Sequence, residues 1–357
     1  MTGVPLADHR ANLAGLVVDR VQAWVLARPT HRVLVRVDAD GVTGWGETTP
    51  AGPGSCGAEG AAMIAAIVDR CLAPVLLGRP AWNLDGIGAA FTDAVPTGGR
   101  RARGALDLAL HDLLGRALDV PVGVLWGARR TEHVPLGWTV TGASPAEAAE
   151  SARAGLDQGY RAFAIDTRCG LDAAGVGAVR ATVADAPLSV HAHGEYTVDG
   201  SLRMAGSLAD LDVTAFVQPL AAGDIDGLRR LRAASHVPVA ASPHRPRDLV
   251  NHVLSDAIDV AAIRTCGGLT DARRLCGLAE DLGTRLMADD GTEGTLGLAA
   301  SLHLFAAHDI GTPMRLGGWV ESPYATVVVT NGVADVPTGP GLGVDVDERV
   351  VRALAAG

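Results

Sequence analysis

Residues 161–193 read RAFAIDTRCGLDAAGVGAVRATVADAPLSVHAH. A short apolar run, RAFAID, is followed by an Ala- and Val-rich stretch of helical length and then by a second short apolar run, LSVHAH. Short buried strands that alternate with helices of this length predict a β/α unit with parallel strands. This stretch decides the fold because the same alternation continues on both sides of it.

The alternation extends over about residues 135–325 and predicts an α/β fold. Seven strand candidates stand between helical stretches: PLGWTV, RAFAID, LSVHAH, TAFVQP, VPVAAS, DVAAIR and TRLMAD. Seven or eight such units favour a closed barrel over an open sheet. Residues 1–134 differ, with strand patterning and a DADG turn over 15–48 and then helical patterning. We therefore predict an N-terminal domain over 1–134, a barrel over 135–325 and a turn-rich, strand-patterned return over 326–357.

The composition excludes several function classes. All 30 basic residues of the 357 are Arg, so Schiff-base chemistry, a P-loop lysine and a lysine base are excluded. The net charge of −10, without a basic patch, argues against nucleic acid as a partner. Apolar runs are too short for a membrane span, and the N-terminus does not resemble a signal peptide. Five irregularly spaced Cys indicate reduced thiols, so we expect a cytoplasmic protein.

The candidate catalytic residues lie at the ends of two neighbouring strands. In LSVHAH, Ser189, His191 and His193 share one face because side chains two apart on a strand point the same way. Asp166 ends the preceding strand. Imidazole titrates near neutral pH, and a carboxylate can orient it. We predict His191 and His193 as general acid and base, with Asp166 as the orienting carboxylate or second base.

Further polar residues follow other strands and are predicted to bind the substrate. Arg264 can hold an anionic group through its two-pronged guanidinium. Asp290 and Glu293 are predicted as secondary contacts, and His244 lies just past its strand. A small anionic substrate is therefore expected.

Several segments, in this order and spacing, resemble the enolase superfamily, in particular its muconate-lactonizing and mandelate-racemase branches. The similarity covers about residues 15–355 and rests on VLVRVDADGVTGWGE, ARGALDLALHDLLGRALDVPVGVLWG, GYRAFAID, FVQPL, CGGLTDARRLCGLAEDLG and GPGLGVDVD. The resemblance implies a modified (β/α)₇β TIM-type barrel under an α+β capping domain that the C-terminus completes. The chemistry then lies at the carboxyl ends of the barrel strands.

The resemblance also implies Mg²⁺ held by three carboxylates, and a K-x-K base motif that abstracts a proton beside a carboxylate. Ala164-Ile165-Asp166 replaces the lysine motif. The metal positions fall on His191-Ala192-His193, on Val217 and on Pro243. Val and Pro cannot bind a metal, so we expect neither Mg²⁺ at the usual position nor the usual enolate chemistry.

Three functions remain open at this stage. The first is a metal-independent acid/base isomerase, epimerase, cyclase or dehydratase, for which a specialised biosynthetic pathway is one setting. The second is a catalytically inactive binding or regulatory protein. The third is a hydrolase or hydratase with Zn²⁺ at His191 and His193. The first two strands are joined through only Arg28, Pro29 and Thr30, so a lid is short or missing and we expect a homo-oligomer that closes the site.

Overall fold

A computed structural model describes residues 13, 15–26, 31–50, 60–127, 129–289, 294–316 and 322–355. The N-terminal part begins with an antiparallel sheet of β1 (Val18–Leu26), β2 (Arg32–Ala39) and β3 (Val42–Thr48). The DADG motif joins β2 to β3, and both Asp40 (φ 50°) and Gly41 (φ 77°) are left-handed. Two left-handed residues form the tight turn that matches strand twist, so the predicted hairpin is confirmed.

Helices cover one face of this sheet. They are α1 (Ala61–Ile67), α2 (Ala73–Leu76), α3 (Leu84–Ala94), α4 (Arg100–Ala117) and α5 (Val122–Leu125), with a π-helical turn at Val68–Leu72. The long helix α4 is predicted from its apolar spacing, and Pro121 follows its end. It lies against β3 where that strand carries Gly44 and Gly46, because a Cβ on either glycine would collide with the α4 backbone.

Gly46→Ala is expected to destabilise the protein. The added Cβ would lie 1.9 Å from the carbonyl oxygen of Ala105, a backbone atom that can move only if the helix moves. Overpacking of this kind costs about 1–3 kcal/mol in the free energy of unfolding, which urea denaturation measures. Gly206→Ala is the control, because its Cβ has open space in a helix and should stabilise by about 1 kcal/mol. Equal stabilities of the two variants would contradict the expected contact.

The second part is the predicted barrel, and its fold class is confirmed. Eight parallel strands of the described chain form it, and the last pairs with the first: β4 (His133–Val140), β5 (Phe163–Asp166), β6 (Leu188–His191), β7 (Ala215–Val217), β8 (Val239–Ala241), β9 (Val260–Ile263), β10 (Arg285–Ala288) and β11 (Met314–Leu316). All seven predicted strands are present.

Helices follow the strands and enclose the barrel. They are α6 (Pro145–Asp157), α7 (Ala173–Val183), α8 (Val198–Leu208), α9 (Ile225–Ala234), α10 (Pro246–Leu254), α11 (Leu269–Asp281) and α12 (Thr295–Phe305). Apolar side chains between these helices and the strands form the largest buried cluster. In the part of the chain that the structure describes, no helix has the length and hydropathy needed to cross a membrane.

The C-terminal segment connects the two parts. It forms the short hairpin β12 (Val329–Thr330) and β13 (Val333–Asp335), and β13 pairs with β4. The strand patterning predicted for its last residues was wrong, because Glu348–Ala355 forms the helix α13 with a strongly one-sided apolar face. Buried Asp112 on α4 accepts hydrogen bonds from the backbone N–H of Trp45 (2.8 Å) and of Leu342 (2.7 Å), so this carboxylate attaches the C-terminal segment to the first part.

Candidate active site

The site begins where two neighbouring barrel strands end. Asp166, the last residue of β5, is in register with His191, the last residue of β6. His193 follows in a left-handed conformation with φ 54°, an unusual state for a residue with a side chain. The N–H groups of Ala192 and Gly194 donate to the carbonyl groups of Val217 (2.9 Å) and Gln218 (2.6 Å) on the next strand. These bonds maintain the bend of the backbone at His193.

The bend brings His193 to Asp166. The imidazole Nε2 lies 3.0 Å from Asp166 Oδ2. Arg168 binds the same carboxylate through Nε (3.0 Å) and Nη2 (2.6 Å). Burial opposes ionisation of Asp166, but the contacts with His193 and Arg168 outweigh it and hold the pKa of Asp166 far below its usual range. Asp166 is therefore ionised at neutral pH, and it lies beside His193.

A second cluster lies deeper and centres on Asp289, which directly follows β10. Arg264 Nε lies 2.8 Å from Asp289 Oδ2. The other oxygen, Oδ1, lies 3.0 Å from Arg315 Nε and 3.1 Å from His191 Nδ1. The remaining nitrogen of His191, Nε2, is 2.9 Å from Ser189 Oγ. One buried carboxylate thus contacts two guanidinium groups and an imidazole.

The charges in this deeper cluster follow from burial and proximity. Burial raises the pKa of Asp289, but Arg264, Arg315 and His191 outweigh it and hold the pKa well below the usual range. Burial, and then the charge of Arg315, lower the pKa of His191 to about 4, against the opposing effect of Asp289. At neutral pH, Asp289 is therefore ionised and His191 is neutral.

Exposure distinguishes the two histidines that were predicted as an acid/base pair. The His191 side chain is 1% exposed, whereas that of His193 is 15% exposed. Their ring centroids are 6.5 Å apart. Both nitrogens of His191 also face protein groups, Ser189 and Asp289. Of the two rings, His193 is the one that a substrate can reach.

The structure places the predicted substrate-binding residues in different surroundings. Arg264 joins the deeper cluster and its side chain is 29% exposed. His244 lies past β8, faces a separate side cavity and has no contact with His191 or His193 among the described residues. Asp290 and Glu293 lie outside the described residues.

Two arginines of the site were missed by sequence reasoning. Arg168 stands two residues after Asp166 in a 3₁₀ turn, Thr167–Cys169. Arg315 lies on β11, the eighth barrel strand, and its side chain is 6% exposed. A single charged residue inside the short apolar run PMRL was the available signal for Arg315. No comparable signal existed for Arg168, because an arginine after a strand end usually faces solvent.

The donor set does not fit the magnesium ion that the resemblance implies. The Val217 side chain is apolar and buried, and Pro243 offers no side-chain donor. The two carboxylates of the site are already neutralised, Asp166 by Arg168 and Asp289 by Arg264 and Arg315. Within the described ranges, no three His, Cys, Asp or Glu side chains are arranged around a common metal position.

His303, outside the site, is buried in α12, and its Nε2 lies 3.2 Å from the carbonyl oxygen of Leu342. Burial lowers its pKa to about 4, although the contact with Leu342 opposes the shift. As pH falls from about 6.5 to about 4, the unfolded chain gains a proton that the folded chain does not, so stability is lost in this window.

Wild type should therefore lose up to about 3 kcal/mol more in its free energy of unfolding than His303→Gln does when the pH falls from 7 to 4, because the variant lacks this titrating group. Urea denaturation at a series of pH values measures it. Parallel stability curves for the two proteins would contradict the lowered pKa.

The fold combines a parallel β/α barrel with a smaller α+β domain, and charged groups lie at the ends of the barrel strands. This combination is typical of one class of barrel enzymes. The model of the mandelate racemase / muconate lactonizing enzyme N-terminal domain matches residues 20–127. The enolase C-terminal domain-like model matches residues 147–350, more than half of the chain. The chain belongs to the enolase superfamily, in its mandelate racemase and muconate lactonizing enzyme branch.

Individual relatives are isomerases. Muconate cycloisomerase 1 of Rhodococcus opacus is 31% identical, with 99% of each chain covered. The N-succinyl-L-Arg/Lys racemase of Bacillus cereus is 27% identical over 79% of each chain. The crystal structure of 2-chloromuconate cycloisomerase from Rhodococcus opacus 1CP superposes with a TM-score of 0.88 at 28% identity, covering 95% of this chain and 99% of that one. These relatives support an isomerase/lyase-type enzyme of this superfamily.

Proposed function

We propose that the protein is a metal-independent acid/base isomerase that acts on a small organic anion. The observation that carries this proposal is the contact of 3.0 Å between His193, which is partly exposed at the barrel mouth, and the ionised carboxylate of Asp166. Isomerisation, including cyclisation and epimerisation, is also the type of reaction that the relatives' names describe. Dehydration starts with the same proton transfer and remains within the proposal.

His193 is the proposed general base. With Asp166 ionised beside Nε2, the tautomer that carries its proton on Nε2 is favoured, and Nδ1 is left to accept a proton. Abstraction breaks a C–H bond beside the substrate carboxylate and leaves the electron pair on the substrate. The protonated ring, paired with Asp166, then returns the proton to another carbon on the same face, or to the opposite face once the substrate has turned over in the site. The imidazole is regenerated, so no other reactant is consumed.

Guanidinium groups are the proposed anion contacts. Asp289 orients the guanidinium group of Arg264, and Asp166 orients that of Arg168. Neither side chain therefore has to lose conformational freedom when the substrate binds. Fixed positive groups beside developing negative charge supply electrostatic stabilisation. Three arginines in the described site, Arg168, Arg264 and Arg315, support the proposal that cationic side chains do this without a metal.

His191 is proposed as a positioning residue. Its buried, neutral ring lies between Ser189 and Asp289, and thereby connects β6 to the residue that directly follows β10. A zinc site that uses His191 and His193 together would have to displace either Ser189 or Asp289 from one ring nitrogen of His191. We therefore favour the acid/base function over the zinc hydrolase.

The test is exchange of a carbon-bound proton for deuterium, followed by NMR in D₂O. cis,cis-Muconate and N-succinyl-L-arginine are the first probes, followed by a panel of small carboxylates. We expect exchange or conversion of at least one panel member, at a rate that EDTA does not change and added Mg²⁺ does not raise. Loss of turnover after EDTA, restored by a metal ion, would overturn metal independence. No exchange with any of the acids would favour the inactive binding protein.

Association of identical chains belongs to the same proposal. β1 ends at Leu26 and β2 begins at Arg32, so the connection between them is short. A short connection supports closure of the barrel mouth by another copy of the chain. Light scattering on the purified protein measures the oligomeric state.

A further inference from the structure

A cavity of about 680 Å³ lies beside the barrel mouth, between the two parts of the chain. Helices α3 and α4 form one wall, and the loops that follow β8 and β9 form the other. Its volume is in the range of pockets that hold small organic ligands. Neither His193 nor Asp166 lines it, so the proposed acid/base pair does not account for it.

One region of this cavity is positively charged. Arg100 reaches in from α4, and its Nη1 lies 3.1 Å from Cys266 Sγ. Arg245 is exposed to the cavity just before α10. Among the described residues, neither arginine has a carboxylate partner within ion-pair distance. A thiol is a weak acceptor, so two guanidinium groups stand here without the partner that such groups usually have.

His244 lines the same cavity and is close enough to Arg100 and Arg245 to respond to their charges. Partial burial of the ring, and then the charges of Arg100 and Arg264, lower its pKa to about 4, although the residue as a whole is exposed. The ring is therefore neutral at pH 7 and can donate one hydrogen bond and accept another.

Most acidic residues of the cavity have partners. Asp85 lies 2.6 Å from Arg274, and Asp107 accepts hydrogen bonds from the backbone N–H and the hydroxyl of Thr270. Burial, and then the charge of Asp107, raise the pKa of Asp271. Asp93 also lines the cavity. The charges of Arg274, Arg100 and Arg103 oppose this shift, so Asp271 offsets part of the positive charge, but it makes no ion pair with Arg100 or Arg245 among the described residues.

The α3 side of the same wall carries apolar groups among Asp85, Thr92 and Asp93. Ile87 and Phe91 of α3 face the cavity, and each side chain is almost fully buried. A ligand that suits the site must therefore combine an oxyanion with an apolar body.

We propose that this cavity is a second ligand site, which binds an organic carboxylate or phosphate. Arg100 and Arg245 hold the oxyanion, His244 donates a hydrogen bond to it, and the apolar body lies on Ile87 and Phe91. The site is separate from the His193–Asp166 pair and does not depend on the reaction proposed there. Because one wall belongs to each part of the chain, a bound ligand connects the capping domain to the barrel.

The test uses 4-bromobenzoate, which has a carboxylate, an apolar ring and an atom that anomalous scattering can locate. Titration calorimetry on the full-length protein should show binding that weakens at least tenfold in Arg100→Gln and in Arg245→Gln. A crystal of the complex should place the bromine beside Phe91. Phenyl phosphate is titrated in the same way, and its affinity compared with that of 4-bromobenzoate shows which oxyanion the site prefers. The affinity of inorganic phosphate compared with that of phenyl phosphate shows how much the ring contributes.

Two control variants make the test specific. Arg247 is exposed, lies only 3.8 Å from Asp248 and does not line the cavity, so Arg247→Gln should bind within twofold of wild type. His193→Gln should bind equally well, whatever its effect on turnover. Unchanged affinity in the Arg100→Gln/Arg245→Gln double variant would overturn the proposal. A bromine found only at the barrel mouth would overturn it as well.

Discussion

Replacement of His193 by Gln is expected to lower kcat by about 10²–10⁴-fold, the usual contribution of a general acid or base. The amide keeps the approximate size of the ring but cannot take up a proton. Asp166→Asn should produce a loss of similar size, because the neutral amide no longer favours the reactive tautomer. The assay is deuterium exchange with whichever carboxylate is turned over by wild type, at pH 7 with EDTA present.

The chain offers a matched control for this pair. His133 Nδ1 lies 2.7 Å from Asp335 Oδ1, but this pair is exposed and lies where β4 begins, at the opposite end of the barrel. His133→Gln should leave kcat within twofold of wild type. The double variant of His193 and Asp166 should be little worse than either single variant, because the two groups act together. Full activity of His193→Gln would exclude it as the base.

Replacement of Asp289 by Asn should lower the free energy of unfolding by about 3–5 kcal/mol, the usual effect of removing one partner of a buried ion pair. Arg315 has a 6% exposed side chain, and without the carboxylate its positive charge would remain buried and unpaired. Arg264 would also lose the negative charge that its Nε now faces. Urea denaturation at pH 7 measures the change.

A control variant and a second substitution distinguish the loss of the buried charge pair from a nonspecific effect of replacing Asp by Asn. Asp335→Asn removes an exposed carboxylate beside His133 and should cost less than about 1 kcal/mol. Adding Arg315→Met to Asp289→Asn removes the unpaired charge while keeping an apolar chain of similar length. This double variant should recover at least half of the lost stability. No recovery would mean that the Asp289 carboxylate acts through contacts other than Arg315.

The fold was predictable because its signals are local and repeated. Each barrel strand is a short apolar run between two helical stretches, and all seven predicted runs form strands. The DADG turn was recognisable because Asp and Gly tolerate left-handed backbone. The final helix, α13, was missed because it is short and follows a turn-rich stretch.

The site was predictable only in part. Alternation along a strand indicates that Ser189, His191 and His193 share a face, and the barrel places Asp166 on the neighbouring strand. Alternation does not indicate depth. The left-handed backbone at His193 lifts that ring to Asp166, while His191 remains buried beside Asp289.

The amino-acid order was enough to predict a barrel preceded by a differently patterned N-terminal domain, the absence of lysine chemistry and the strand ends that carry candidate reactive groups; the capping arrangement came from the resemblance to the enolase superfamily. Periodicity and residue type are properties of short segments, so they can be read from a single sequence. The pairing of Asp289 with Arg264 and Arg315 and the cavity at Arg100 and His244 required the folded chain. These contacts join residues that are far apart in the sequence, and their strength depends on burial, which is set by how strands and helices pack together.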